Sequence, residues 1–109
     1  MDIQSKADEI GISVDAYKRL CSLFINNTDK DLELLSTAIT SNDIQIISDT
    51  AHHIKGAASN MEFETMADLA KELQLLAQGQ KKSDNSLLDH YNKLLREYQS
   101  KKTEIEAHL

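Results

Sequence analysis

The chain has 109 residues, of which 40% are hydrophobic and 28% are charged, and this balance is typical of one globular domain. Its net charge of −6 disfavours binding to nucleic acid or to an anionic membrane, because phosphate groups select for lysine and arginine. A single cysteine excludes an internal disulfide, and no apolar leader or membrane-spanning run is present, so we expect a cytoplasmic protein.

The amino-terminal part of the chain predicts a loose arm followed by helices. Residues 1–10 are polar and acidic, so we expect a flexible arm there and a helical bundle domain over residues 11–109. The chain has no proline and only three glycines, so long helices are expected. Ser13 is a good N-cap, and the apolar residues that follow it recur at helical spacing. Those residues are Tyr17, Leu20, Cys21 and Phe24.

A polar stretch then predicts a turn between two helices. Residues 26–31 read NNTDKD, and asparagine, threonine and aspartate are common in turns and at helix caps. The apolar residues after the turn predict a second helix, and they are Leu32, Leu35, Ala38 and Ile39. Ser41 or Asn42 is expected to cap a third helix that starts near Asp43.

The third helix carries a continuous apolar side, which we expect to lie in the core. Its members recur with the 3.6-residue period of a helix and are Ile47, Ala51, Ile54, Ala58 and Met61. A hinge over residues 62–64 separates this helix from a fourth over residues 66–77, and Gly79 stands where helices often end. A polar loop over residues 81–86 leads to a fifth helix over residues 87–98, which Ile105 extends.

These elements predict an all-α protein. Alternation of apolar and polar residues is no longer than the tripeptide IQI at 44–46, which lies inside a helical pattern, so no strand is expected. Helices joined by short loops pack side by side in opposite directions. We therefore expect an antiparallel up-and-down four-helix bundle with a short extra N-terminal helix, and a monomer.

The side of the third helix that faces away from the core carries a histidine and a glycine. Residues 51–60 read AHHIKGAASN. With Ile47 at zero and 100° per residue, His52 lies at about 140°, Gly56 at about 180° and Ser59 at about 120°. These three residues and Lys55, which lies on the flank, form one outward-facing stripe.

Other polar residues extend or flank this stripe. Lys55 lies at about 80°, where its long side chain can reach the region of the first histidine. Gln45, Ser48 and Asp49 continue the stripe toward the N-terminus of the helix. His53 points about 100° away from its neighbour and is expected to be structural or incidental. Only Asp49 stands at ligand spacing from it, so no metal site is expected.

The glycine in this stripe requires an explanation, because glycine inside a helix is destabilising by about 1 kcal/mol relative to alanine. Gly56 stands one turn after His52, and it removes a side chain that would crowd the imidazole. Another molecule can then approach the ring. Imidazole is a nucleophile that forms covalent intermediates, and phosphoryl transfer needs mainly in-line positioning and charge stabilisation. An exposed imidazole beside Lys55 and a cleared surface therefore suits a phosphoryl-accepting group.

The sequence around this histidine resembles the histidine phosphotransfer (HPt) domains of multistep two-component relays. The family pattern is Ala-His-x-(Leu/Ile)-Lys-Gly followed by small residues, and it falls on residues 51–58. The segment LAKELQ in the next helix and the upstream segments ISVDAYKRLCSLF and DLELLSTAITSND are also similar to the family. The resemblance covers about residues 11–100. It implies a four-helix bundle with a short lead helix.

The resemblance also implies roles for single residues. His52 is expected to be the phosphorylated residue, Lys55 to stabilise the phosphoryl group and Gly56 to give access. Gln74 occupies the place where some members hydrogen-bond the other nitrogen of the histidine, although it could equally be an ordinary surface residue. Ser48 and Ser59 are expected to contact the partner.

The implied partner is a response-regulator receiver domain that carries a phospho-aspartate, or a hybrid sensor histidine kinase. Mg²⁺ is expected from the receiver domain, and no cofactor is expected on this chain. No nucleotide-binding loop is present, so the protein is expected to be a phosphocarrier without ATP-dependent kinase activity of its own. One residue departs from the family pattern, because Glu62 stands where the family often has a second glycine.

Two other functions compete with the phosphocarrier. The first is a helical protein–protein interaction module that carries no phosphoryl group. The second is an enzyme that pairs His52 with a carboxylate, and it is disfavoured because no second catalytic group clearly faces this histidine.

Overall fold

A computed structural model of the chain describes residues 2–79 and 86–109. Within these residues the fold consists of five α-helices and contains no strand, which confirms the predicted all-α class. The helices are α1 (Ile3–Ile10), α2 (Val14–Thr40), α3 (Ile44–Asn60), α4 (Glu64–Ala77) and α5 (Leu87–Glu106). Most of the predicted loop at 81–86 lies outside the described residues, and its last residue, Ser86, caps α5.

The four long helices form the predicted antiparallel bundle. Two hydrogen bonds show the direction of α5 against α2, because Tyr91 donates to the Leu32 carbonyl at 3.3 Å and Tyr98 donates to the Ile25 carbonyl at 3.2 Å. The residue number of the α2 partner decreases as the residue number on α5 increases, so these helices run in opposite directions. The molecule measures 41 × 21 × 19 Å, and α2 spans its long dimension at about 1.5 Å per residue.

The N-terminal segment differs from its prediction, because residues 3–10 form α1 and not a flexible arm. Asp2 caps this helix by accepting a hydrogen bond from the Ser5 amide at 3.2 Å. Ile3 and Ala7 stand one turn apart and are buried in the common core. Two apolar residues at this spacing are enough to attach an otherwise polar helix to α2, so α1 is the short extra helix of the fold.

The predicted turn at residues 26–31 is also wrong, because α2 continues through it for 27 residues. The polar residues of this stretch do not interrupt the buried side of the helix, where Thr28 is 1% exposed between the buried Ile25 and Leu32. Helix propensity differs among ordinary residues by less than about 0.7 kcal/mol, and packing of a buried side outweighs it. Without proline or glycine, nothing local breaks the helix.

The two tight turns of the bundle use residues in the left-handed conformation. Asn42 ends the turn after α2 with φ +55°, and Glu62 ends the turn after α3 with φ +61°. In each turn the next amide reaches back five residues, from Asp43 to the Ala38 carbonyl and from Phe63 to the Ala58 carbonyl, both at 2.9 Å. This is the Schellman arrangement, in which glycine is preferred. The departure at Glu62 therefore falls where an L-residue is strained.

Helix capping follows the predictions in part. Ser13 accepts a hydrogen bond from the Ala16 amide, as predicted for the start of α2. The third helix is capped by Asp43 and by neither Ser41 nor Asn42, because these two residues already belong to the end of α2 and to its turn. Gly79 has φ +72° after α4, as its position predicted.

The core lies along the axis of the bundle and is apolar. Its largest fully buried side chains include Tyr17, Leu35, Ile47, Ile54, Met66, Leu73, Leu94 and Ile105. Phe24 contacts the edge of two other rings, with centroid distances of 5.5 Å to Phe63 and 6.1 Å to Tyr98. These contacts join α2, the turn between α3 and α4, and α5.

Candidate functional site

The predicted apolar side of α3 is buried, and the side that carries the histidine and the glycine is exposed. Ala51, Ile54 and Ala58 are completely buried in the core. On the other side of α3, His52 is exposed, as are Gly56 and Ser59. The segment from residue 51 to 58 is continuous α-helix. The imidazole of His52 is therefore carried on a rigid element and has no hydrogen-bond or ion-pair partner among the described residues.

A depression of about 320 Å³ lies beside this imidazole, and we call it the acceptor depression. It is lined by His52, His53, Gly56, Ala57 and Asn60. A Cβ atom built on Gly56 would meet, within 4 Å, no atom beyond its chain neighbours and the nearby backbone of α3, so packing within the described residues does not require glycine at this position. Glycine makes the helix less stable than alanine would, and this loss is explained if another molecule must approach the bare backbone.

The second histidine of the pair has a different environment. His53 Nδ1 lies 2.6 Å from Asp31 Oδ2, which joins α3 to α2. The imidazole is 66% exposed and the carboxylate 19%, so the carboxylate is the more sheltered end of the pair. This contact agrees with a structural role for His53. Asp31 lies in the stretch predicted as a turn, and its contact with α3 was not predicted because it depends on α2 continuing as a helix.

On the α4 side of His52 lies a larger depression of about 680 Å³. Gln74 is half-buried there and makes no hydrogen bond to the imidazole in the structure, although both line the same space. Ser48 differs from its prediction as part of the exposed stripe, because it is only 5% exposed. Gln78, the C-cap residue of α4, donates a hydrogen bond to the Ser48 hydroxyl at 2.7 Å and covers it. A helical wheel places Ser48 outward, but it cannot show where α4 crosses α3.

The remaining polar candidates lie near the histidine without contacting it. Lys55 is half-buried, has no ion-pair partner among the described residues, and does not line the acceptor depression. Asp49 is exposed on the α4 side, where its carboxylate accepts a hydrogen bond from Gln45 at 2.8 Å. Within the described ranges no three histidine, cysteine or carboxylate side chains are grouped so that they could hold a metal ion.

An apolar groove between α2 and α3 begins where the acceptor depression ends. It encloses about 150 Å³, and Ala57 and Asn60 line both spaces. Leu20 and Leu23 of α2 border it with 41% and 56% of their surface exposed. Leu20 was predicted only as one of the apolar residues at helical spacing, and Leu23 carried no prediction. The sequence signal for this groove is the pair Leu20 and Leu23, three residues apart on α2. The larger set of apolar residues lies on another side of the same helix.

The fold and the site together define a small helical domain with an exposed histidine on the surface of α3. A family model described as Hpt domain matches residues 19–101, which is most of the chain, so the protein belongs to the Hpt domain family. Hpt domains act in phosphotransfer in two-component systems, and they interact with receiver domains and kinases. The parallel comparisons gave no match to a curated protein or to a solved structure. In the described part of the chain, no helix combines the length and the apolar content of a membrane span.

Proposed function

We propose that this protein is a cytoplasmic, monomeric phosphocarrier in which His52 accepts a phosphoryl group from the aspartyl phosphate of a response-regulator receiver domain and passes it to another receiver. One observation carries the proposal. An exposed imidazole without a hydrogen-bond or ion-pair partner among the described residues stands on a rigid helix, one turn before a glycine that packing within the described residues does not require. This arrangement leaves the ring and the approach to it open to a second protein.

The transfer needs little chemistry from this chain. A ring nitrogen of His52 attacks phosphorus, the N–P bond forms, and the P–O bond to the receiver aspartate breaks with release of the carboxylate. The bare backbone at Gly56 allows the receiver to bring its phosphoryl group into line. Lys55 would supply positive charge by extending its side chain, and Gln74 would hydrogen-bond the ring from the α4 side. Mg²⁺ would be held by the receiver domain and would neutralise charge on the phosphoryl oxygens.

The apolar groove supports docking of the receiver domain beside the histidine. The groove is continuous with the acceptor depression, and exposed leucines border it. An apolar side chain of the receiver in this groove would fix the orientation of the phosphoaspartate relative to His52. Ser59 is exposed on the same side of α3 and is proposed to contact the partner. Ser48 would contribute through the wall of the larger depression, since its hydroxyl is occupied by Gln78.

Transfer of label tests the proposal directly. A receiver domain labelled with ³²P on its aspartate is mixed with the protein in the presence of Mg²⁺. The wild type is expected to acquire label that is stable to alkali and labile to acid. His52→Gln should acquire none, whereas the matched control His53→Gln should still be labelled. Label on His52→Gln and not on His53→Gln would refute the assignment of the acceptor.

The competing function is an interaction module that docks a partner through the apolar groove without accepting a phosphoryl group. It predicts that the wild type and His52→Gln bind a panel of receiver domains equally and that neither is labelled. That result with several active receivers would replace the phosphocarrier proposal.

A further inference from the structure

Two histidines line the acceptor depression, and Gly56 lies between them on the helix surface. Gly56 stands four residues after His52 and three after His53, and both separations place residues next to each other on a helix. Both histidines line the depression, whereas Lys55 does not. Of the described side chains that line this space, His53 is therefore the one besides the acceptor that can become a cation.

The second imidazole is oriented by a carboxylate on another helix. Its Nδ1 lies 2.6 Å from Asp31 Oδ2, and the carboxylate is the more sheltered partner. An Nδ1–H that donates to a carboxylate fixes the ring and leaves Nε2 for a second interaction. When both nitrogens carry protons, the ring can donate to two anions at once. His53 can then bridge Asp31 and an anion in the depression.

We propose that His53 contacts the phosphoryl group during transfer, its Nε2–H donating a hydrogen bond to a phosphoryl oxygen, and that Asp31 is a positioning residue that aligns the ring. This inference rests on the proposed function of His52. Bond changes are unaltered by the contact, because the N–P bond forms at His52 and the receiver carboxylate leaves. No proton moves to or from His53 in this step.

Four variants test this role in the full chain. His53→Ala removes the donor, His53→Gln keeps an amide N–H at similar reach, and Asp31→Asn removes the aligning charge. Asp29→Asn is the matched control, since Asp29 is also an α2 carboxylate tied to another helix but contacts Tyr98 and Lys102 on α5. Unfolding by urea is measured for each variant, so that a change of rate can be compared with a change of stability.

The rate of transfer from labelled receiver and the ³¹P signal of phosphohistidine are the readouts. We expect His53→Ala to slow transfer about tenfold, below the effect of a buried oxyanion donor because this site is open to water. Asp31→Asn should slow transfer about threefold, and His53→Gln should stay within about threefold of the wild type. The ³¹P signal should shift in His53→Ala and stay in place in Asp29→Asn.

The outcomes separate this inference from the proposed function. If the wild type takes no label on His52, the phosphocarrier proposal fails. If the wild type is labelled but His53→Ala transfers at the same rate with the same ³¹P signal, only the role of His53 is refuted. A slower rate with an unchanged ³¹P signal, and a loss of stability equal to that of Asp29→Asn, would reduce the His53–Asp31 pair to a structural contact.

Discussion

The seam between α2 and α5 and the outer face of α3 both carry polar residues, but only the seam pairs them within the fold. In the seam the Tyr98 hydroxyl donates to Asp29 Oδ1 at 2.6 Å, and Lys102 Nζ lies 3.2 Å from Asp29 Oδ2. On the outer face, which consists of His52, Gly56, Ser59 and Asn60, no side chain has a hydrogen-bond partner among the described residues.

This difference separates structure from function. Polar groups that are paired inside the fold contribute to its stability, and their removal leaves a partner unsatisfied. Polar groups on the outer face can be replaced with little effect on folding, because water already satisfies them. They remain free to meet another protein. Substitutions in the seam should therefore lower stability without slowing phosphoryl transfer. Substitutions on the outer face should slow transfer without lowering stability.

The largest effect is expected at the centre of the outer face. Gly56→Leu should slow phosphoryl transfer about a hundredfold, because a displacement of about 1 Å in the approach of the reacting groups has an effect of that order. The same change should raise the free energy of unfolding by about 1 kcal/mol, since leucine is a better helix former and the position is open. Stopped-flow transfer and urea unfolding measure the two quantities.

Gln99→Leu is the control for this variant, because it adds the same side chain to an exposed position on α5. It should leave the transfer rate unchanged. If Gly56→Leu transfers as fast as the wild type, the outer face is not the site of approach.

The reverse result is expected in the seam. Tyr98→Phe removes the hydrogen bond to Asp29 and should lower the free energy of unfolding by about 1.5 kcal/mol. The transfer rate should stay within about twofold of the wild type, because the hydroxyl does not line the acceptor depression. Urea unfolding at pH 7 and the labelling assay check both statements. A large loss of transfer without loss of stability would contradict the division between the two regions.

Alkaline pH sharpens this test of the seam. Burial raises the pKa of Tyr98 far above its ordinary value, and the hydrogen bond to Asp29 raises the pKa further. Below about pH 10 the tyrosine is protonated in both the folded and the unfolded chain, so its contribution to stability is complete. Above that pH the unfolded chain releases the proton and the folded protein keeps it. The contribution is then lost at about 1.4 kcal/mol per pH unit.

Tyr98→Phe has no such proton at this position. The difference in the free energy of unfolding between the wild type and the variant should therefore narrow as pH rises above 10. Tyr17 also has a raised pKa caused by burial, and it affects both proteins equally. Urea unfolding between pH 8 and pH 11 measures the difference, and a constant difference over this range would show that Tyr98 titrates alike in both states.

The smallest effect concerns the turn that ends α3. Glu62 has φ +61°, which is strained for any residue with a Cβ atom, so Glu62→Gly should raise the free energy of unfolding by about 1 kcal/mol. Asn42→Gly is the control at the equivalent turn after α2 and should change stability by only a few tenths of a kcal/mol, since asparagine tolerates this conformation. Thermal unfolding compares the two variants, and equal shifts would argue against strain at Glu62.

The sequence was sufficient for the bundle and for the exposed face of α3. Strict helical spacing identified the buried Ile47 and Ile54, and the same geometry placed His52 and Gly56 outside. These are properties of one helix, and a fixed rotation per residue is enough to obtain them. The all-helical class followed from the absence of proline and from the spacing of the apolar residues.

The tertiary structure decided the features that depend on two helices at once. The helix α2 continues through a polar stretch whose propensity suggested a turn, because burial of the apolar residues on either side of it, Ile25 and Leu32, outweighs a weak local preference. The tertiary structure covered Ser48 with Gln78 and placed Asp31 beside His53, although these partners lie 30 and 22 residues apart along the chain. Periodicity defines the sides of a helix, but only packing determines which residue of another helix lies against each side.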